Sequence, residues 1–558
     1  MTGDTTQLDW ILSHERSRPD AVWLTQPMDS GVIRDITFAC ALDEARRMAA
    51  HLASRGFPPG SRIAIFSKNT AWWLIADLAI WIAGHVSVPI YPTLTPESIR
   101  KILEHSETRL VFVGKLDRYS EMAPGLPDEL PRVTLPLSPP EAALDGVRSW
   151  DEIISSTQPI EGAPRRTPDE LATIIYTSGS TGDPKGAMHS FHSMCAIAVL
   201  TGVFGFRADD RMISYLPLAH VAERALLETT TFKVGFHVYF SESLATFAND
   251  LRRARPTIFG SVPRLWQKLQ EGVLAKMPAS RLELLLRIPI MGSVVARKVR
   301  EGLGLDQARK LVTGSAPTPA ELVSWYRALG INIGEIYGMT ENFVLSHISM
   351  TGQERTGWVG TPAPGVIAKL SEEGEVLVKS PAVMLGYYKN KALSRETVDA
   401  DGFLHTGDLG EIDAQGRLRI SGRVKELFKT SKGKYVAPTP IESALLAHPD
   451  VDQACVSGVG RPQPHALVVL AATARTAAPS AREAIAARLE AHLEATNAGF
   501  DQHERLEKIF VVPEEWSPEN GLLTPTLKLR RTVIEDRYAA RVGPLHERPE
   551  RIVWIDAS

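Results

Sequence analysis

At 558 residues the chain exceeds what one hydrophobic core usually organises, so more than one domain is expected. With 62 basic residues against 65 acidic ones the net charge is −3, which excludes a global pull toward nucleic acid or an acidic membrane. Three widely spaced cysteines, Cys40, Cys195 and Cys455, exclude a disulfide framework and a cysteine-rich zinc site and point to a reducing, cytoplasmic location.

The N-terminus, MTGDTTQLDW, is polar and acidic, unlike a signal or transit peptide. Ser61 to Phe66 reads as a strand. Ala71 to Ala83 (AWWLIADLAIWIA) is too short for a membrane span of roughly 20 residues and carries Asp77 in its middle, so a buried core helix is expected. Thr95 and Pro96 form a helix start, with Ile99, Ile102 and Leu103 as its apolar stripe, and Leu110 to Val113 is the next strand. This β-α-β alternation predicts a doubly wound, mainly parallel sheet. The proline-rich stretch from Ala123 to Pro168 reads as a surface connection.

Leu171 to Tyr176 is a buried strand that stops in a polar loop: Thr177, Ser178, Gly179, Ser180, Thr181, Gly182, Asp183, Pro184, Lys185, Gly186. Close-approaching glycine backbone, clustered hydroxyls and a lysine suit a polyphosphate, whereas a plain turn needs far less. It is not a Walker A loop, because Gly186 rather than Ser or Thr follows Lys185. His189 and His192 have metal-ligand spacing without a third ligand and read as structural; His220, in LPLAHVAER, reads by itself as a core histidine.

Alternation continues to about residue 355, and Trp358 to Tyr388 reads as a small β-subdomain. Within EIYGMTEN, Glu341 beside the Thr340 hydroxyl suits Mg²⁺ shared with phosphates, or is a plain helix-start glutamate. Asp408 reads as a turn aspartate or a hydroxyl-binding carboxylate. Lys429, Lys432 and Lys434 around Gly433 suggest a charged hairpin tip, and Lys528, Arg530 and Arg531 a basic run. Thr439-Pro440-Ile441-Glu442 and Ser480-Ala481-Arg482-Glu483 both read as capping boxes; the second opens a helix with Ile485, Leu489 and Leu493 on one face and Gly499 at its end.

Five motifs in order resemble the adenylate-forming superfamily of acyl-CoA synthetases, luciferases and peptide-synthetase adenylation domains. They are the glycine-rich loop, Gly314-Ser315-Ala316-Pro317, Tyr337-Gly338-Met339-Thr340-Glu341, Thr406-Gly407-Asp408 and Gly422-Arg423-Val424-Lys425. LPLAHVAER and Thr-Pro-Thr-Leu-Lys528 are similar to long-chain fatty acyl-CoA synthetases; the commoner family pattern has Ser-Gly before the lysine where this chain has Thr526-Leu527.

The resemblance implies an α/β fold: a large N-terminal domain of doubly wound sheets with a small β-subdomain (1–423), then a small mobile α+β domain (424–558). It implies a hinge at Lys425. It gives catalysis to Lys528, Thr340, Glu341 and Lys432, with Glu341 as the Mg²⁺ ligand. Nucleotide and co-substrate binding fall to Thr177, Ser178, Gly179, Ser180, Thr181, Gly182, Lys185, Gly314, Ser315, Ala316, Tyr337, Gly338, Met339, Asp408, Arg423 and Gly433. Tyr337 would lie against adenine, Asp408 and Arg423 at the ribose, Gly433 beside the pantetheine path and His220 at the acyl site, with Arg530 as fallback for Lys528.

The implied activity is ATP-, Mg²⁺- and coenzyme A-dependent synthesis of an acyl-CoA, on a medium- or long-chain fatty acid, through acyl-AMP. The alternatives are a ligase loading a carrier protein, a ligase for an aryl acid, and a nucleotide-binding regulator without catalysis. The expected partners are small molecules, with no nucleic acid and no transmembrane segment; peripheral membrane contact and a monomer or homodimer stay open.

Overall fold

In the computed structural model, residues 5–29, 31–161, 165–178, 184–349, 352, 354–524 and 528–555 are described. The fold is α/β, and its largest sheet has eight strands. Val86–Ile90, Arg62–Phe66 and Leu110–Val113 form its parallel centre, and Leu171–Ser178 joins in parallel beside Val86–Ile90. Pro184–Ser190 then turns back antiparallel, and Gly386–Tyr387 closes that edge.

The helix Ala71–Ile82 is buried at every residue, as its all-round apolar sequence demands. Three of its polar side chains are answered from outside, while the buried Trp73 indole N–H has no hydrogen-bond partner among the described residues. Trp72 donates to Glu44 at 3.0 Å, Trp81 to the Ala172 carbonyl at 2.9 Å, and Asp77 meets Arg224 at 2.6 Å. Among the described residues no helix is long and apolar enough to cross a membrane.

The stretch read as a surface connection is more ordered than that. Arg132–Thr134 and Arg148–Ser149 extend the large sheet, and the helix Trp150–Ser156, opened by a Ser149–Glu152 capping box, buries Trp150. Two- and three-residue strands at a sheet edge carry too little periodicity to be recognised.

A second sheet runs Arg211–Ser214, His237–Phe240, Val22–Pro27, Ile33–Thr37. A third runs Ile258–Ser261, Lys310–Gly314, Ile333–Tyr337, His347–Ile348, Thr361–Pro362. The β-rich region is a four-stranded antiparallel sheet reaching beyond Tyr388: Ile367–Leu370, Glu375–Lys379, Leu404–Ile412 and Leu418–Arg423. A single 3₁₀ turn, Val424–Glu426, follows.

The C-terminal region has its own sheet, Val451–Ser457, His465–Leu470, Ile509–Val512 and Ile552–Trp554, with its own apolar cores on both faces. Neither expected capping box forms there. Pro438–Leu445 starts one residue before Thr439, because a proline at its first turn needs no donor partner. Its Glu442 instead accepts from the Val456 N–H and pairs with Arg531. Arg482–Ala498 begins after a 3₁₀ turn and has no side-chain cap; Ile485, Leu489 and Leu493 do share its buried face.

Candidate active site

The strand Leu171–Ser178 pairs with Pro184–Ser190 up to Thr177 opposite Lys185 and Ser178 opposite Pro184. These pairs bring the two ends of the glycine-rich loop together; Gly179, Ser180, Thr181 and Gly182 lie outside the described residues. Gly186 is required where it stands, since a Cβ there would lie 2.7 Å from Ile174 and 3.1 Å from the Tyr176 ring.

The third sheet delivers the next groups. Gly314 ends Lys310–Gly314, where a Cβ would meet the Ile336 carbonyl at 2.7 Å. Ser315, at φ +71°, holds a backbone conformation unusual for a side-chain-bearing residue, and Ala316 beside it is exposed. From the adjacent strand Ile333–Tyr337, the chain turns sharply through Gly338 and Met339. A Cβ on Gly338 would lie 2.4 Å from the Val344 carbonyl, and Phe343 and Val344 both have positive φ. The buried Asn342 side chain accepts from the Met339 N–H at 2.9 Å and fixes the Thr340–Asn342 turn.

Two contacts then orient this turn. His189 Nε2 lies 2.8 Å from the Thr340 carbonyl, which fixes the proton on Nε2 because a carbonyl can only accept; Nδ1 faces the Ser193 hydroxyl at 3.1 Å. Burial, opposed by the Thr340 bond, pushes this imidazole down to about 4, so it stays neutral. The Tyr387 hydroxyl donates to Glu341 Oε1 at 2.6 Å, and no other side chain among the described residues bonds that carboxylate.

Asp408 lies within the strand Leu404–Ile412, not in a turn, directly opposite Arg423 in the ladder. Arg423 Nε donates to Oδ1 and the Tyr337 hydroxyl to Oδ2, each at 2.7 Å. Burial and then the Asp408 carboxylate hold the Tyr337 phenol well above its usual range, so it remains a donor.

His220 heads a short turn, its Nδ1 accepting from the Ala222 N–H at 3.2 Å, and stands 6.4 Å from the Tyr91 ring. Burial first, then the charge of Lys528, lowers it to about 3. Glu223 beside it accepts from the Ser214 hydroxyl and the Tyr215 N–H, and burial pushes it up to about 8. Arg224 opens a turn of π-helix, Arg224–Thr229. Its guanidinium reaches Asp77, Glu228 and the Thr173 hydroxyl of the phosphate-side strand.

Lys528 comes to this cleft from the C-terminal region, where the Thr524 N–H donates to the Lys528 carbonyl and the Lys528 N–H to the Thr524 hydroxyl. Desolvation and then Arg423 lower its pKa, against Asp408, Glu341 and Glu426. The residue is exposed, so its charged neighbours act on it more than burial does.

The structure thus gathers Tyr337, Thr340, Glu341, Asp408, Arg423, His220 and Lys528. It does not gather Lys432 and Gly433. They sit on an exposed hairpin tip whose backbone bonds run to residues 460 and 461, and among the described residues no hydrogen bond or ion pair joins them to the cleft. Lys425 is exposed in the 3₁₀ turn after Arg423. Arg530 is turned away, donating to the Gly521 carbonyl. Asn342 and Tyr387 are the supporting groups that sequence reasoning passed over; His189, read from the sequence as structural, and Arg224, within the LPLAHVAER motif, also support the site. A cleft of about 770 Å³ between Gln463, Glu494 and Arg551 contains none of these residues.

The AMP-binding enzyme model matches residues 13–388, and the AMP-binding enzyme C-terminal domain matches 426–550. The chain belongs to the AMP-binding enzyme family. Within it, the chain is 31% identical to a long-chain-fatty-acid–CoA ligase of Mycobacterium bovis, over 96% of each chain. It is 30% identical to human long-chain-fatty-acid–CoA ligase 1, covering 89% of this chain and 80% of that one. The fold is shared with the A domain of a Segniliparus rugosus carboxylic acid reductase, solved with AMP and a co-purified carboxylic acid. The TM-score is 0.78 at 22% identity, over 98% of this chain and 94% of that one. The region between the two family matches holds the strands that carry Asp408 and Arg423, so the paired site straddles the junction.

Proposed function

We propose that this chain is an ATP- and Mg²⁺-dependent acyl-CoA synthetase. It activates a medium- or long-chain fatty acid as acyl-AMP, releases pyrophosphate, and passes the acyl group to coenzyme A with release of AMP. The observation that carries the reading is the approach of Lys528 to Asp408, Arg423, Glu341 and His220 from a separate region of the chain.

A carboxylate attacking the α-phosphate brings two anions together. At 4 Å their repulsion is about 1 kcal/mol in water and about 4 kcal/mol at an effective dielectric near 20. The Lys528 ammonium between them reverses that sign and keeps acting as charge builds on the transferring oxygens. Asp408, with Arg423 and Tyr337 fixing its two oxygens, is an acceptor for vicinal ribose hydroxyls. Glu341 with Thr340 would hold Mg²⁺: a single carboxylate, steered by Tyr387, fits a cation that takes hard oxygens and leaves most positions to phosphates and water. Bound there, Mg²⁺ supplies neutralisation of phosphate charge.

Lys432 and Gly433 are remote in this arrangement, so the thioester step calls for a second orientation of residues 424–558 about Lys425, with the domain boundary at 423/424. The fatty-acid class rests on the similarity to the two long-chain ligases. We further assign the enzyme to the cytoplasm.

The test is kcat/KM for saturated acids from C2 to C18, with benzoate and cinnamate. Burial is worth about 0.8 kcal/mol for each CH₂, so each methylene should raise kcat/KM by up to about fourfold until the pocket ends. The expected optimum is a medium or long chain. An optimum at C4 or below, or an aryl acid preferred over dodecanoate, would overturn the fatty-acid assignment and leave adenylation standing.

A further inference from the structure

The helical hairpin Ala279–Leu286 and Met291–Leu303 carries a concentration of exposed apolar side chains: Leu284 is 64% exposed, Ile288 41%, Ile290 83%, Met291 49% and Val294 36%. The opposite side is a genuine core face. Leu282, Ala296 and Leu303 are buried, Ala296 and Leu303 in the cluster around Trp266 and Leu251. Gly292 lets the two helices cross closely, since a Cβ there would lie 2.3 Å from the Leu286 carbonyl. The exposed residues are therefore the outer face of a well-anchored hairpin. At its tip Ile290 has φ +67°, a conformation costly for a β-branched side chain, and its side chain stands in solvent.

The charge around this face is as uneven as its polarity. In a chain of net charge −3, residues 276–303 contain Lys276, Arg281, Arg287, Arg297, Lys298 and Arg300 against two acids, Glu283 and Glu301, the second paired with Arg297. Lys276, Arg281, Arg287 and Lys298 are exposed and make no ion pair among the described residues. An apolar tip rimmed by unpaired cations matches an interface with apolar depth and anionic surface. A nucleic acid would answer the cations and leave Ile290 and Met291 without a partner. An acidic protein would need its own apolar cavity, and a second copy of this chain would set the same cations against each other.

We propose that this hairpin is a docking surface for an anionic phospholipid bilayer, with Ile288 to Met291 entering the headgroup layer and Arg281, Arg287 and Lys298 lying over lipid phosphates. It rests on the fatty-acid reading only in supplying a reason to dock, since a long-chain acid partitions into bilayers; the binding itself is independent of catalysis.

The experiment is flotation of the full chain with phosphatidylcholine vesicles containing 30% phosphatidylglycerol, beside phosphatidylcholine alone, at 0.15 and 0.5 M NaCl. Binding to the anionic vesicles is expected, weakened by salt. Each lost cation should lower partitioning about fivefold, so Arg281→Gln/Arg287→Gln/Lys298→Gln should lose most of it. Ile290→Gln/Met291→Gln should weaken binding in either salt. Melting temperature and pyrophosphate exchange with octanoate, a soluble acid, should not change in either variant. Absence of flotation, or variants that float like the parent protein, would overturn the proposal. So would a parent dimer that the apolar variant splits, which would make the face a self-contact. An enzyme inactive on every fatty acid that still floats with this pattern would remove the substrate reading and keep the surface.

Discussion

His189 donates from Nε2 to the Thr340 carbonyl at 2.8 Å, joining the strand after the glycine-rich loop to the turn that carries Glu341. The histidine is fully buried and neutral, so it acts by position rather than by proton transfer. His189→Ala should lower the kcat of pyrophosphate exchange about five- to tenfold, the scale of one buried hydrogen bond, and raise the Mg²⁺ needed for half-maximal rate. Its pKa near 4 predicts that the parent rate shows no limb from this group between pH 5.5 and 9. A Mg²⁺ requirement unchanged in the variant would remove the positioning role.

What the sequence displays well here is local: a strand ending in glycines and hydroxyls, a carboxylate at a strand end, a helix apolar on all sides. These signals lie within ten or so residues of each other and survive without knowledge of the fold. The contacts that orient the site do not. Tyr387 reaches Glu341 across 46 residues, and His189 reaches Thr340 across 151. Asp77 stood out as a lone acid in an apolar helix, yet nothing local to it points to Arg224, 147 residues on. Asp408 misled in the other direction, since its Gly-Asp neighbourhood has turn chemistry while the ladder to Arg423 keeps it in a strand. The short strands Arg132–Thr134 and Arg148–Ser149 were illegible because they offer no period to read.

Acid should destabilise the protein through histidines that are buried neutral. His189 and His347 are both fully inaccessible and held at about 4, against 6.5 for an unfolded histidine. The unfolded chain therefore binds more protons between those values. The stability these groups allow is complete above pH 6.5 and is lost progressively as pH falls toward 4. At pH 5 each should cost roughly 2 kcal/mol. Urea melts at pH 7.5 and 5 check this, with His347→Gln expected to reduce the difference. A stability flat from pH 7.5 to 5 would show that these imidazoles are not held neutral.

Asp77, Arg224 and Glu228 have no exposure at all, yet comprise two acids and one base. A second buried negative charge without a counter-charge is expensive, so the cluster holds one extra proton. Burial raises both carboxyls; Asp77 has the shorter contact to Arg224, and Glu228 is raised further by its proximity to Asp77, so Glu228 is the protonated one. Glu228→Gln should then change stability by less than about 1 kcal/mol, whereas Asp77→Asn removes the shorter contact and leaves Glu228 to ionise as the counter-charge, and should cost about 1.5–3 kcal/mol. Thermal and urea melts of both variants give the order. The reverse order would place the proton on Asp77.

Lys528 and Gly433 belong to the same small C-terminal region, but only Lys528 stands at the cleft, which predicts that the two half-reactions can be separated by mutation. Lys528→Ala should lower acyl-AMP formation by several orders of magnitude, because the cation between carboxylate and phosphate is gone. Thioester formation from supplied acyl-AMP should change little. Gly433→Leu should do the opposite, obstructing a narrow path for the CoA arm while adenylation proceeds. Gly433 has φ +75°, so leucine also strains the hairpin; Gly433→Asn, which tolerates that conformation and is smaller, separates strain from bulk. The asparagine variant should keep more thioester activity than the leucine variant. Pyrophosphate exchange and thioester yield are measured side by side on each. If Lys528→Ala retained full exchange, the attacking carboxylate would need another cation, and Arg530 could supply it only by leaving the Gly521 carbonyl. If Gly433→Leu lost both activities equally, the loop would serve the first step too, and the second orientation of residues 424–558 would have no support.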